Sequence, residues 1–148
     1  MEYKFSLSPG FSTDKKGEKT IIYRPIIRVI LKNPNNNRTK PILGIVDSGA
    51  DFCLFPSWIA EILGHNLKNG RKREVNGICG KTIAFLHTTD IEIPEMNYGC
   101  RCDCWFSEDF GKIKTSIAPY GLLGLQEFFE KFQVSINYKI RTFTLKTS

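Results

Sequence analysis

Ile42-Leu43-Gly44-Ile45-Val46-Asp47-Ser48-Gly49-Ala50-Asp51-Phe52-Cys53-Leu54-Phe55-Pro56 is an apolar, β-prone run that carries one carboxylate into a Ser-Gly turn and then becomes apolar again. A chain that must hold an acid at the end of a strand would be written this way. Gly49 permits the backbone angles of a sharp turn and leaves room for a second backbone or a ligand. Ser48 places a hydroxyl beside the acid. Alone, an Asp-Ser-Gly at a strand end is an ordinary turn, so the reading depends on what else the chain contains.

A second segment, with its Leu122 seventy-five positions beyond Asp47, is Gly121-Leu122-Leu123-Gly124-Leu125-Gln126-Glu127-Phe128-Phe129-Glu130-Lys131-Phe132. Leu125, Phe128, Phe129 and Phe132 recur at i, i+3, i+4 and i+7, which predicts a helix over Leu125–Phe132 with one apolar face. Between the two segments, Glu74–Leu86 sets two β-prone arms around Gly77 and Gly80 and reads as a hairpin. These three pieces, in this order, resemble the single-domain retropepsin-like aspartic proteases. The Asp47 turn is similar to the family's catalytic loop, and Leu122-Leu123-Gly124 to the hydrophobic-hydrophobic-Gly element that passes beneath it. The hairpin is similar to the flap that closes over substrate. The resemblance is good over Ile42–Leu86 and Tyr120–Leu145 and faint elsewhere. Ser48 stands where Thr is more frequent, and Leu125 where retroviral members place an arginine. The chain therefore looks closer to cellular or bacterial relatives than to the minimal viral form.

The resemblance implies an endopeptidase, with Asp47, Ser48 and Gly49 as the catalytic turn. Ala50 and Asp51, and the flap residues Asn76, Gly77, Ile78, Cys79 and Gly80, would contact substrate. Peptide hydrolysis of this kind takes two carboxylates, one activating water and one donating a proton to the scissile carbonyl. The chain supplies one, so two copies would meet about a twofold axis with Asp47 facing its counterpart. Two like charges so close cannot both ionise easily, and the pair is expected to act as a unit. Ser48 would hold the two loops in register, and Asp51 would bind substrate backbone or fix local salt links rather than act as a second acid. The expected partners are a second copy of the chain and a peptide or protein substrate, with no metal or organic cofactor. The alternative is a catalytically inactive dimerisation or peptide-binding module of the same fold.

Composition sets the bounds. At 148 residues the chain reads as one domain, 1–148, long enough to bury a core without staples. That length and the single Asp-Ser-Gly copy exclude a two-lobed enzyme. Strands bounded by Gly, Pro and Asn outnumber helical stretches, which predicts an all-β, closed retropepsin-like barrel with one or two short helices. The formal charge is +6, much of it in Lys68-Asn69-Gly70-Arg71-Lys72-Arg73. This run reads as a solvated loop, because no interleaved aromatics or recognisable module point to nucleic acid. No run approaches the ~20 apolar residues of a membrane span. The start, Met-Glu-Tyr-Lys-Phe-Ser, lacks a secretory apolar core, and five cysteines cannot all pair within one chain. A reducing, cytoplasmic setting is the expectation.

Rival chemistries find little support. Cys100, Cys102 and Cys104 fall at i, i+2 and i+4, a spacing that suits one face of a buried strand better than a zinc site. Cys53 sits among apolar neighbours and reads as core, while Cys79 would lie in the flap. Neither His65 nor His87 has a motif that would pair it with a thiol. Ser48 lacks the first glycine of a nucleophile elbow. Further elements expected are a strand at Met1–Leu7, a mobile loop at Pro9–Lys19 and a strand at Thr20–Leu31 interrupted by Pro25. A turn at Asn33–Asn37 and a helix near Ser57–Leu63, capped by Ser57 and ended by Gly64, come next, and Gln133–Leu145 closes as a hairpin.

Overall fold

The computed structural model describes residues 1–77, 80–109 and 120–147. It is mostly β, with three sheets and few short helical segments. The strands are β1 (Glu2–Ser6), β2 (Ser8–Thr13), β3 (Lys19–Arg24), β4 (Ile26–Lys32), β5 (Thr39–Val46), β6 (Leu54–Pro56), β7 (Arg71–Gly77), β8 (Gly80–His87), β9 (Asp90–Ile93), β10 (Tyr98–Arg101), β11 (Cys104–Ser107), β12 (Gly121–Leu123), β13 (Phe132–Asn137) and β14 (Thr142–Thr147). Nine of them form one sheet in the order β10-β9-β4-β5-β12-β6-β11-β8-β7. No ladder joins β10 to β7 among the described residues, so the described sheet is open. Alternation drives the central strands: Ile27, Val29 and Leu31 of β4 all point into the core, with the residues between them more exposed.

The topology around Asp47 matters most. β12 runs parallel to β5 and antiparallel to β6, so it lies between the two strands that the Asp47 loop connects. Leu122 pairs with Ile45 on one side and Leu54 on the other. The acid-bearing loop thus straddles a strand drawn from seventy-five positions away. Such a non-local anchor fixes a loop more firmly than a hairpin turn could.

The helix after Pro56 is present as α1 (Ser57–Ile62), but Pro56 occupies the cap position and Ser57 makes no capping bond. Gly64 ends it with φ +78, the left-handed conformation a glycine adopts without strain. The Asn33–Asn37 turn is found: Asn33 is buried, its side chain accepts the Asn35 N–H at 3.0 Å, and it turns β4 into β5. Thr20–Leu31 is two strands separated at Pro25, and Pro9–Lys19 is largely a hairpin, β2 paired with β3 from Ser8↔Arg24 to Thr13↔Lys19.

The predicted helix over Leu125–Phe132 is reduced to one irregular π-type turn, Leu125–Phe129. Gln126 is extended (φ −69, ψ 137) and Glu127 has φ +75, so the segment is one wide turn, closed by the Phe129 N–H donating to Gly124 O at 3.1 Å. Phe128 and Phe132 are still buried, the second already on β13. The closing hairpin β13–β14 is as expected, and β1 pairs with β14 of the same chain. Leu7, Phe143 and Leu145 are therefore core residues, Phe5 stacks on Phe143 at 5.1 Å, and Tyr3 is exposed.

Candidate active site

Asp47 is the first residue past β5. Its N–H donates to Leu123 O at 2.9 Å, and its Oδ1 accepts the Gly49 N–H at 2.8 Å. An added Cβ at Gly49 would come within 3.1 Å of that same Oδ1, so a side chain there would crowd the carboxylate. The carboxylate is half-buried, while Ser48 and Gly49 are exposed. The Ala50 N–H returns to Asp47 O at 3.1 Å and tightens the turn.

The far side of the loop is stitched to the turn after β12. Leu125 N–H donates to Ala50 O at 2.9 Å and Gln126 N–H to Asp51 O at 2.8 Å, and Trp105 N–H reaches Cys53 O at 3.0 Å. Gly124 makes this possible. A Cβ there would lie 2.4 Å from Phe52 O and 2.6 Å from Ala50 O. The Leu122-Leu123-Gly124 element thus passes under the Asp47 loop in close backbone contact. It supports the loop without the predicted helix.

β7 and β8 form the expected hairpin, with Asn76 paired to Lys81 and Gly77 to Gly80. Ile78 and Cys79, its tip, lie outside the described residues. Asp51 is exposed, its backbone engaged with Gln126 and its carboxylate at the surface. A cleft of about 440 Å³ opens next to it, lined by Phe52, Arg71, Lys72, Arg73, Leu86, Asp103, Trp105, Gln126 and Glu127. Asp47 is not among these lining residues. Sequence reading missed this cleft, because its wall draws on five separate segments and because Arg71–Arg73 read as part of a solvated loop. Arg71 is instead the first residue of β7.

None of the described cysteines, Cys53, Cys100, Cys102 and Cys104, has an activating environment. Cys53, Cys102 and Cys104 are buried; Cys102 donates to Cys53 at 3.6 Å and Cys104 to the Cys102 carbonyl at 3.0 Å. The strand expected to carry all three of Cys100, Cys102 and Cys104 breaks between β10 and β11, where the Cys102 N–H bonds Thr89 O. The Cys102 hydrogen bond and burial push the Cys53 thiol far up, the Cys104 hydrogen bond does the same for Cys102, and burial raises Cys104 and Cys100. A nucleophilic cysteine needs the opposite shift.

The two histidines stack on each other, ring centroids 4.6 Å apart. His87 Nε2–H donates to Leu67 O at 2.8 Å, Asn33 Nδ2 lies 3.5 Å from His65 Nδ1, and the buried Nε2 of His65 has no hydrogen-bond partner. Burial, and then the neighbouring His87, lower the His65 pKa to about 4. The pair joins the end of α1 to β8 and is a packing feature.

No protein-family model matches the sequence, and no curated protein matches it. Among solved structures, a retropepsin-like aspartic protease from Rickettsia conorii is similar over 98% of this chain and 98% of its own, at 18% identity and a TM-score of 0.60. EIAV protease in complex with the inhibitor HBY-793 is similar over 70% of this chain and 86% of its own, at 20% identity and a TM-score of 0.47. With β12 threaded between β5 and β6 beneath the Asp47 loop, the chain has the fold of a retropepsin-like aspartic protease.

Proposed function

We propose that the chain, as one domain, is an aspartic endopeptidase that works as a homodimer, with Asp47 of each copy forming the catalytic pair. The observation that carries this reading is the placement of Asp47. It sits half-buried on a loop that is bonded on both flanks to β12 and the turn after it, in a fold shared with a retropepsin-like aspartic protease. Rigid support of that kind suits an acid that must hold a water against a scissile carbonyl. One carboxylate takes the proton from water, the other gives one to the carbonyl oxygen, and the roles exchange as the amine leaves. Ser48 and Gly49 complete the turn, Ala50 and Asp51 border the peptide, and Asn76, Gly77, Ile78, Cys79 and Gly80 close over it. No metal or organic cofactor enters this chemistry.

Asp47→Asn tests it. The amide is isosteric and can still accept the Gly49 N–H, so the fold should persist while hydrolysis of a peptide library falls by several orders of magnitude. Full activity in the variant would falsify the assignment. If the wild-type chain cleaves no peptide between acid and neutral pH, the fold serves as a non-catalytic dimerisation or peptide-binding module.

A further inference from the structure

The cleft beside Asp51 has a chemical character of its own. Its floor is the Phe52–Trp105 pair, ring centroids 5.5 Å apart and both side chains nearly buried. The Arg73 guanidinium lies over both rings, 5.1 Å from the Phe52 centroid and 5.7 Å from that of Trp105. An arginine seated over aromatic faces is restrained by them while its donors can still reach a carboxylate. Arg71 shares this strand face at i−2, as does Val75 at i+2, which packs against the same aromatic cluster.

The charges of the cleft are unequally committed. Glu127 is paired with Lys131 at 2.9 Å, and Asp103 accepts the Thr89 N–H at 3.3 Å. None of Arg71, Lys72 and Arg73 has a carboxylate partner among the described residues. Three cations thus line a cleft that holds two acids, one of them already ion-paired with Lys131. Leu86 supplies an apolar wall along which methylene groups can lie.

We propose that this cleft binds an acidic side chain of a peptide, glutamate in preference to aspartate, with its carboxylate on the Arg73 guanidinium and its methylenes along Leu86. The cleft begins one residue after Asp51, so a peptide bound at the Asp47 loop would place a nearby residue in it. That link to cleavage rests on the peptidase reading; the binding itself does not.

The test uses the Asp47→Asn chain, so that turnover cannot interfere, in a Trp58→Phe background that leaves Trp105 as the sole tryptophan. Blocked hexapeptide pools, each with one position fixed as Glu, Gln or Lys and the rest randomised, are titrated while Trp105 emission is followed. At one position the Glu pool should bind about tenfold more tightly than the Gln pool, a charge-assisted pair against a neutral one. The preference should shrink in high salt. Arg73→Gln should abolish it, Arg73→Lys should keep part of it, and Arg73→Glu should favour the Lys pool. Equal binding of Glu and Gln pools at every position, no response of Trp105 to any pool, or a Glu preference that survives Arg73→Gln overturns the proposal. Cleavage by the Asp47 chain without a Glu preference would sink it and leave the peptidase reading standing. Glu-selective binding with no cleavage would do the reverse.

Discussion

Gly124 is where one added carbon would press hardest on the backbone of the loop that carries Asp47. The atoms a Cβ would meet are the carbonyl oxygens of Ala50 and Phe52, at 2.6 and 2.4 Å, and backbone cannot swing aside as a side chain can. At Gly121 the obstacle is the Phe55 ring, which is buried but rotatable in principle. Gly124→Ala should therefore destabilise the fold by about 1–3 kcal/mol, the usual cost of overpacking, read from urea unfolding. Activity should fall further than stability explains, because the strain is delivered into the loop that carries Asp47. An alanine variant as stable and active as the parent would show that the loop is not held from below. This glycine was legible in the sequence, since close packing under a turn is a reason for Leu-Leu-Gly. Glu127 at φ +75 was not, because nothing in the residue type announces a left-handed angle.

At the scale of elements, what sequence could not supply was partnership. The i, i+3, i+4, i+7 pattern of Leu125, Phe128, Phe129 and Phe132 demands burial on one side, and a turn leading into β13 meets that demand for Phe128 and Phe132 as well as a helix would. What decides between them is distant: the Leu125 and Gln126 N–H groups are taken by Ala50 and Asp51. The β2–β3 hairpin was hidden by a Gly-, Ser- and Lys-rich composition, yet Phe11 and Ile21 face each other across it. The strand β1 was legible because the alternation of Tyr3, Phe5 and Leu7 reports a local geometry, and β4 and β5 were legible as β-prone apolar runs. The His65–His87 stack between the end of α1 and β8 gives a prediction at this scale. His65 is held neutral down to about pH 4, whereas in the unfolded chain it takes a proton near 6.5. Its contribution is thus fully present above pH 6.5 and is lost as pH falls from 6.5 towards 4. With the ring partly open to solvent the effect is modest, on the order of 1 kcal/mol after screening. Relative to His65→Gln, the wild-type chain should lose stability over that range in denaturant titrations at pH 7.5 and 4.5; a constant difference between the two proteins would count against the stack as an acid-sensitive joint.

For the molecule as a whole, the proposed peptidase would need two acids from chains that carry one each. The terminal sheet β1-β14-β13 is completed within a single chain, with the Met1 amino group on Thr147 Oγ1 at 3.0 Å and Phe5 stacked on Phe143. Its pairing draws on one chain's own strands, so a single chain could keep its fold alone. Folding and activity should then part company on dilution. As concentration is lowered through the dimer dissociation constant, specific activity should fall while far-UV circular dichroism stays unchanged. Mixing supplies the complementary evidence. With a tenfold excess of Asp47→Asn chains and random exchange, only about one wild-type chain in eleven keeps a wild-type partner, so activity per wild-type chain should drop by roughly that factor. A monomeric enzyme would ignore both treatments, because neither changes the acids within its own chain. Specific activity that holds constant deep into a demonstrated monomer regime, or that the Asn chain fails to suppress, would leave Asp47 to act without its counterpart, and the shared site would have to be abandoned.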